Sequence, residues 1–348
     1  MKLFLHRLHD KSLMITLTIN MQISIIKPGV LTTIQDMGRF SYLSQAVPIS
    51  GAMDMLSARI ANKALGNPET DATIEFTYAT AKFEAKTDLL IAYAGDGAFL
   101  NVDQQKLLSE RPIFVPAGSI IKLTNNQNGA RTYLAIAGGW QVPEILGSKS
   151  TYLTANFGGL EGRNLKTGDT LNNNQLSEVS KKILDTLKSD RIKQSNWYIP
   201  KRLLLAEKPK TIRIMPAQER TWFCAESVIN FLSSEFTIGL NSNRMGYQLT
   251  GVNIKQTKKK ELLSTAVSPG TIQVTGNGNL IILMADCQTT GGYPRIGQVA
   301  AVDLPLCAQL KAGDKLHFLE ISRDEAENLY LEQEKQLFLL TLGITSKF

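Results

Sequence analysis

Short runs rich in Val, Ile, Leu, Thr and Tyr recur along this chain between clusters of Gly, Asn, Asp and Pro, as in Leu89–Tyr93, Ile120–Thr124, Thr132–Ala137, Thr211–Met215 and Leu280–Ala285. Runs of strand length, punctuated this often by turn formers, are the pattern of an all-β sandwich or barrel. Helical spacing is confined to Asp54–Leu65, Gln175–Lys188, Gln218–Phe231 and Glu325–Leu340. The expected fold is mainly β, with a few helices.

A chain of 348 residues suggests about two domains, and an internal echo points the same way. The strand-like Thr132–Ala137 is followed by a glycine-rich stretch and then Leu165-Lys-Thr-Gly-Asp-Thr-Leu171; Leu280–Ala285 is followed by another and then Leu310-Lys-Ala-Gly-Asp-Lys-Leu316. Tandem duplication is the expectation, although Val115-Pro-Ala-Gly-Ser-Ile-Ile121 shows that such turn-then-strand units are also a generic β-barrel device. The polar stretch Asn172–Lys210, with Pro200 and Pro209 as breakers, is the linker candidate. The boundaries read as an N-terminal domain over 21–180, a linker over 181–210, a C-terminal domain over 211–322 and a helical tail over 323–348. Residues 1–20 have no uninterrupted apolar core and do not read as a secretory signal; Met21 directly precedes a strand-like run, so 1–20 is expected to be an upstream-start extension.

Several function classes drop out. The net charge of +7 is modest and unclustered, which gives nucleic-acid binding little support. No apolar run reaches the 18 or more residues of a membrane span. The three cysteines, Cys224, Cys287 and Cys307, form no C-x-x-C and no even disulfide set, so a reducing, cytoplasmic setting is expected. His6 and His9 lie in the extension, and a His-based triad or metal site would rest on His317, which reads as an ordinary strand residue. Neither a P-loop nor a Rossmann fingerprint is present.

Three segments concentrate chemistry. Thr32-Thr-Ile-Gln-Asp36-Met-Gly-Arg39, followed by Val47-Pro-Ile-Ser-Gly51-Ala-Met-Asp54, offers Arg39 as an anion or carbonyl clamp with Asp36 or Asp54 orienting it or handling a proton. An Asp–Arg turn bridge with Asp54 as a helix N-cap explains the same residues. Phe157-Gly-Gly-Leu-Glu-Gly-Arg163 can bring backbone amides close to an anion, or simply turn tightly. After Asn243-Arg244-Met-Gly246, the run Asp286-Cys-Gln288-Thr289-Thr290-Gly291-Gly292-Tyr293-Pro-Arg295 leaves a buried strand and presents a carboxylate, an amide, hydroxyls, a phenol and a guanidinium together. That density favours a site over a bland loop. Cys287, with no nearby histidine, reads as a small core residue.

These same motifs, with Gly29–Arg39, Val47–Asp54 and Leu65-Gly-Asn-Pro68, resemble a family that includes the 5-oxoprolinase C subunit, the KipA sporulation regulator and the carboxyltransferase region of urea carboxylase, over roughly Gln22–Ser322. The resemblance implies two tandem cyclophilin-like β-barrel domains. It implies ATP-dependent opening of 5-oxoproline to glutamate, with ATP and Mg²⁺ as cofactors, in complex with the 5-oxoprolinase A and B subunits, the latter KipI-like. A lactam is a poor electrophile, so phosphorylation of its carbonyl oxygen would create the leaving group. On that basis Arg39 and Arg244 are expected at the anion and Asp54 and Asp286 at metal or proton handling. Asp36, Arg163 and Arg295 supply further charges, and Gln288, Thr289, Thr290, Gly291, Gly292 and Tyr293 line the substrate or nucleotide. The same resemblance leaves room for a biotin-dependent carboxyltransferase component or for a non-catalytic regulator.

Overall fold

The computed structural model describes residues 19–348 apart from 104, 206–209, 259 and 261. The proposed extension lies almost wholly outside the described residues, as does Pro209. The first half forms two six-stranded sheets. One runs in the order Thr170–Asn172, Gln22–Lys27, Lys82–Ala85, Ile120–Asn125, Ala98–Val102, Gln105–Lys106; the other runs Lys193–Gln194, Ile113–Val115, Leu89–Gly95, Arg131–Ile136, Thr73–Thr77, Leu31–Gln35. Both feed one core that includes Ile23, Phe83, Leu90, Ile91 and Leu134. The second half is a closed seven-stranded barrel. Its ring closes where Thr211–Pro216 lies parallel to Lys315–Glu320, with Thr211 opposite His317. His317 is thus a partly exposed strand residue beside Glu235.

The helices follow their sequence signals closely. Met55–Ala64 is capped by Asp54, whose Oδ1 accepts the Ser57 amide at 2.8 Å, and it packs on Leu89–Gly95 and Arg131–Ile136. Glu178–Leu187 starts at the Ser177 cap. The expected helix over 218–231 divides into a 3-10 turn, Gln218–Trp222, and the helix Ala225–Ser233. The tail helix is longer than its periodicity suggested, Arg323–Lys347. No described helix is long and apolar enough to cross a membrane.

The segment 181–210 is not a free connector. Ile183, Leu184, Leu187, Ile199 and Leu204 are buried in the first half's core, and Lys193–Gln194 adds a strand to its second sheet. Its polarity is that of an amphipathic helix and an edge strand, which expose one side each. The tail helix also docks: Leu337 and Ile344 enter the first core, whereas Ala326 packs with Ala300, Val302 and Ile321 of the second half.

One sheet of the first half positions the site. In register, Ile34, Ile74 and Leu134 align and face the core, so the alternate residues Thr33, Glu75 and Tyr133, with Gln35 and Arg131 along the same face, point away from it. In an ordinary two-layer protein that face would meet water. Here all five are buried: Arg244 and Tyr247 of the barrel reach Glu75 and Arg131, while Gln35 bonds the Thr151 carbonyl and Tyr133 packs with Ala52 and Ala58 of the first half itself.

Candidate functional site at the seam between the halves

Glu75, 1 % exposed, anchors the seam. Its carboxylate accepts hydrogen bonds from the Met53 amide at 2.9 Å, the Tyr133 hydroxyl at 2.8 Å and Arg244 Nη1 at 2.5 Å. Arg244 comes from the loop before the barrel strand Gly246–Thr250 and is itself buried. Its Nε and Nη2 grip Asp286 at 2.7 and 3.0 Å, and Nη2 also donates to the Gly51 carbonyl at 2.6 Å. Burial disfavours the Arg244 charge, but Asp286 and Glu75 outweigh that cost and hold the guanidinium more basic than usual. Such a planar fork between carboxylates of two halves is a geometry lysine cannot supply.

A second bridge lies alongside. Arg131 Nη1 donates to the Tyr247 hydroxyl at 2.6 Å and to the Ala308 carbonyl, while Gln309 Oε1 accepts the Ala130 and Arg131 amides at 3.1 and 3.0 Å. Gln309 Nε2 then reaches Asp54 Oδ2 at 2.7 Å, where Lys201 Nζ also donates at 3.2 Å. Lys201 loses charge stability to burial, yet Asp54 and Asp96 more than restore it. Asp54 is therefore both helix cap and ion-pair partner, with both oxygens committed.

Arg39 is the least paired arginine of the site, with two orphaned nitrogens against one in Arg131. It is 1 % exposed, and among the described residues it makes one direct bond, Nη2 to the Ser150 carbonyl at 2.6 Å, with no partner for Nε and Nη1. Phe157 covers one face, 4.8 Å from the ring centre. Burial lowers its basicity, and Asp36 and Asp286 offset part of that from a distance. Asp36 does not bond it. The Asp36 carboxylate instead accepts the Gly38 and Lys149 amides at 2.8 and 2.6 Å and the Ser148 and Ser150 hydroxyls at 2.6 and 2.5 Å, which pins the 148–150 loop. The close approach of that loop requires Gly158: a Cβ there would sit 2.0 Å from the Ser150 carbonyl oxygen and 3.0 Å from Arg39 Nη2.

The remaining expected residues lie elsewhere. Arg163 is tied to Asp169 at 2.8 and 3.0 Å and to Glu161, and Arg295 to Glu219 at 2.6 and 2.7 Å. Of the two arginines expected at the anion, Arg244 is engaged by carboxylates, as are Arg163 and Arg295, whereas Arg39 keeps unpartnered donors among the described residues. Gln288, Thr290, Gly292 and Tyr293 are exposed, Thr289 half-buried, and Thr290–Gly291 pairs with Thr265–Ala266 as a surface ribbon. At Gly291 the Gln273 side-chain amide occupies the space a Cβ would take, at 2.4 Å. The carboxylates of Asp36, Asp54 and Asp286 have their oxygens engaged by donors, and among the described residues no group of three His, Cys, Asp or Glu is placed to hold a metal. These residues do not fit a resident Mg²⁺, and no metal-dependent step is assigned to them.

A cavity of about 310 Å³ opens beside the seam, lined by Met37, Phe40, Met53, Met55 and Met284 and walled by Glu334 of the tail helix. Its lining residues flank Arg39, Asp54 and Asp286 in sequence. Its volume is at the low end for small-molecule sites.

The description "carboxyltransferase domain, subdomain A and B" matches residues 45–320. The chain belongs to that carboxyltransferase-domain family. The matched span takes in Glu75, Arg131, Arg244 and Asp286, so the seam is internal to the carboxyltransferase domain. Among relatives, the 5-oxoprolinase C subunit of Escherichia coli is 36% identical over 313 residues, 90% of this chain and 96% of that one. Urea amidolyase of Lachancea kluyveri is 33% identical over 92% of this chain but only 18% of its own length. The crystal structure of the K. lactis urea amidolyase superposes with a TM-score of 0.81 at 29% identity, covering 92% of this chain and 20% of that one. The carboxyltransferase fold thus occurs both as a separate chain and as a fraction of much longer ones.

Sequence reasoning does not single out Glu75, Arg131, Tyr133, Lys201, Tyr247 or Gln309. The one available signal is Glu75 itself, a carboxylate inside the apolar, β-branched run Thr73–Thr77.

Proposed function

We propose that this chain is the C subunit of an ATP-dependent 5-oxoprolinase, opening 5-oxoproline to glutamate together with the A and KipI-like B subunits. The supporting observation is the end-to-end correspondence with the E. coli protein, 90% of one chain against 96% of the other. The seam suits this chemistry, because it is a water-poor, polar interior beside a small apolar cavity and offers groups that can orient a small amide. ATP hydrolysis belongs to the assembled complex, and this chain alone is expected to be inactive.

The test is glutamate and ADP release from 5-oxoproline and MgATP by the three purified proteins, with each left out in turn. Turnover that requires all three supports the reading. No turnover from a stable complex would refute it. The second reading, carboxyl transfer with biotin carried on another protein, is favoured by the superposition on the K. lactis urea amidolyase. Bicarbonate- and biotin-dependent turnover without 5-oxoproline would select it.

A further inference from the structure

The groups left unpartnered at one edge of the seam specify a ligand. Arg39 has five N–H donors and makes one direct hydrogen bond, although 1 % exposed. Buried polar groups in folded proteins are almost always paired, and a buried cation left short of acceptors is costly. Two further side-chain atoms of the same segments are buried and orphaned, Gln35 Oε1 and Ser50 Oγ.

The three residues are linked through the backbone. The Arg39 amide donates to the Ile49 carbonyl at 2.9 Å and the Ala52 amide to the Asp36 carbonyl at 2.8 Å, so 36–39 and 49–52 run side by side. Gln35 Nε2 bonds the Thr151 carbonyl at 3.2 Å and Arg39 Nη2 that of Ser150, the preceding residue. Ser50 is held at φ 55, the left-handed region that a serine seldom occupies.

From these groups we infer that Arg39, Gln35 and Ser50 form a binding site for a small carboxylate that also carries an N–H or O–H. Arg39 requires oxygen acceptors, Gln35 Oε1 requires a donor, and the Ser50 hydroxyl serves either. A carboxylate on a ring that bears an N–H meets all three needs, and bicarbonate is the smallest species that does. A fully ionised phosphate does not match, because it offers Gln35 no donor. The three side chains do not line the methionine-walled cavity, whose residues Met37, Phe40 and Ala52 are their neighbours in sequence, so the inferred entry of a ligand requires those flexible side chains to repack. The inference deepens the function proposed above, and its choice of 5-oxoproline as the ring carboxylate rests on that reading; the donor–acceptor class stands on the orphaned atoms.

The test is calorimetric titration of the full chain, without partners, with L-5-oxoproline, 2-pyrrolidinone, cyclopentanecarboxylate and bicarbonate. Saturable binding of 5-oxoproline or bicarbonate is expected, with 2-pyrrolidinone, which lacks the carboxylate, and cyclopentanecarboxylate, which lacks the N–H, each at least tenfold weaker. Ser50→Ala and Gln35→Glu are expected to weaken the bound ligand at least fivefold. Arg39→Met should abolish binding while leaving the melting temperature of the free chain equal or higher, since it removes an under-paired buried cation. A merely structural arginine would lower it. Equal binding of all four probes, or none by a chain whose three-protein complex turns over, overturns the site but not the proposed function. Selective binding without turnover in the complex leaves the site and overturns the oxoprolinase reading.

Discussion

Replacing Arg244 by Met tests whether the seam is held by charge. The substitution keeps an unbranched side chain but leaves Asp286, 5 % exposed, without its cation and Glu75, 1 % exposed, with only the more distant Arg131 at 4.0 Å. Removing one partner of a buried ion pair costs about 3–5 kcal/mol, and the Gly51 carbonyl loses its donor as well. With an unfolding entropy of about 2.1 cal/mol/K per residue, a cooperative unit of 348 residues has roughly 0.7 kcal/mol/K, so the melting temperature should fall by about 4–7 °C. Thermal and urea unfolding followed by circular dichroism reads this directly. Adding Glu75→Gln and Asp286→Asn removes the stranded charges together, and part of the loss should return. A loss below about 1 kcal/mol for Arg244→Met, or strict additivity across the three changes, would refute the view that this arginine clamps the halves.

Other consequences are open to measurement. Arg295 holds Glu219 below the usual carboxylate range against the opposing effect of partial burial; a lowered folded pKa stabilises above the ordinary value and is lost as pH falls through the lowered one, so Glu219→Gln should flatten the acid limb of the stability curve below about pH 4.5 and leave pH 7–8 dependence unchanged. Burial pushes the Cys287 thiol up to about 12 and raises Cys307, whereas the Ser227 hydroxyl lowers that of half-exposed Cys224. Mass spectrometry after iodoacetamide at neutral pH should therefore find Cys224 alkylated first, and the other two only on unfolding. Glu334→Gln weakens the bidentate contact of Arg59 with the tail helix, made at 2.6 and 2.7 Å; a loss of about 1–2 kcal/mol should appear as faster amide exchange over 323–347, and unchanged exchange would count against docking through this pair.

What the sequence disclosed is what local physics writes into neighbouring residues. The Asp54 cap and its helix were readable because cap and first turn are three residues apart, and the strand runs because alternation is a property of adjacent positions. The glycines at 158 and 291 were visible as a class, though their reasons, the Ser150 carbonyl in a folded-back loop and the Gln273 amide on a neighbouring strand, are set by the fold. The paired state of Arg163, Arg244 and Arg295 was not readable, since an arginine's partner is set by the fold. Asp286 is 42 residues from Arg244, and Glu75 is 169. For the same reason nothing marked out Glu75, and the linker's polarity looked like exposure when it marked only one side of a docked helix.

The distance between Glu75 and Arg244 also sets an order of events during synthesis. A chain emerging at about 5–20 residues per second makes the carboxylate roughly 10–30 seconds before the guanidinium that neutralises it, 169 residues later. Until then the outer face of the nascent sheet presents Glu75, Arg131 and Tyr133 with no barrel against them. Water serves these groups well, so the first half can wait in a hydrated form, and its polar face gives passing hydrophobic segments little to adhere to. The dry seam is then a late product of biosynthesis, formed when the second half closes.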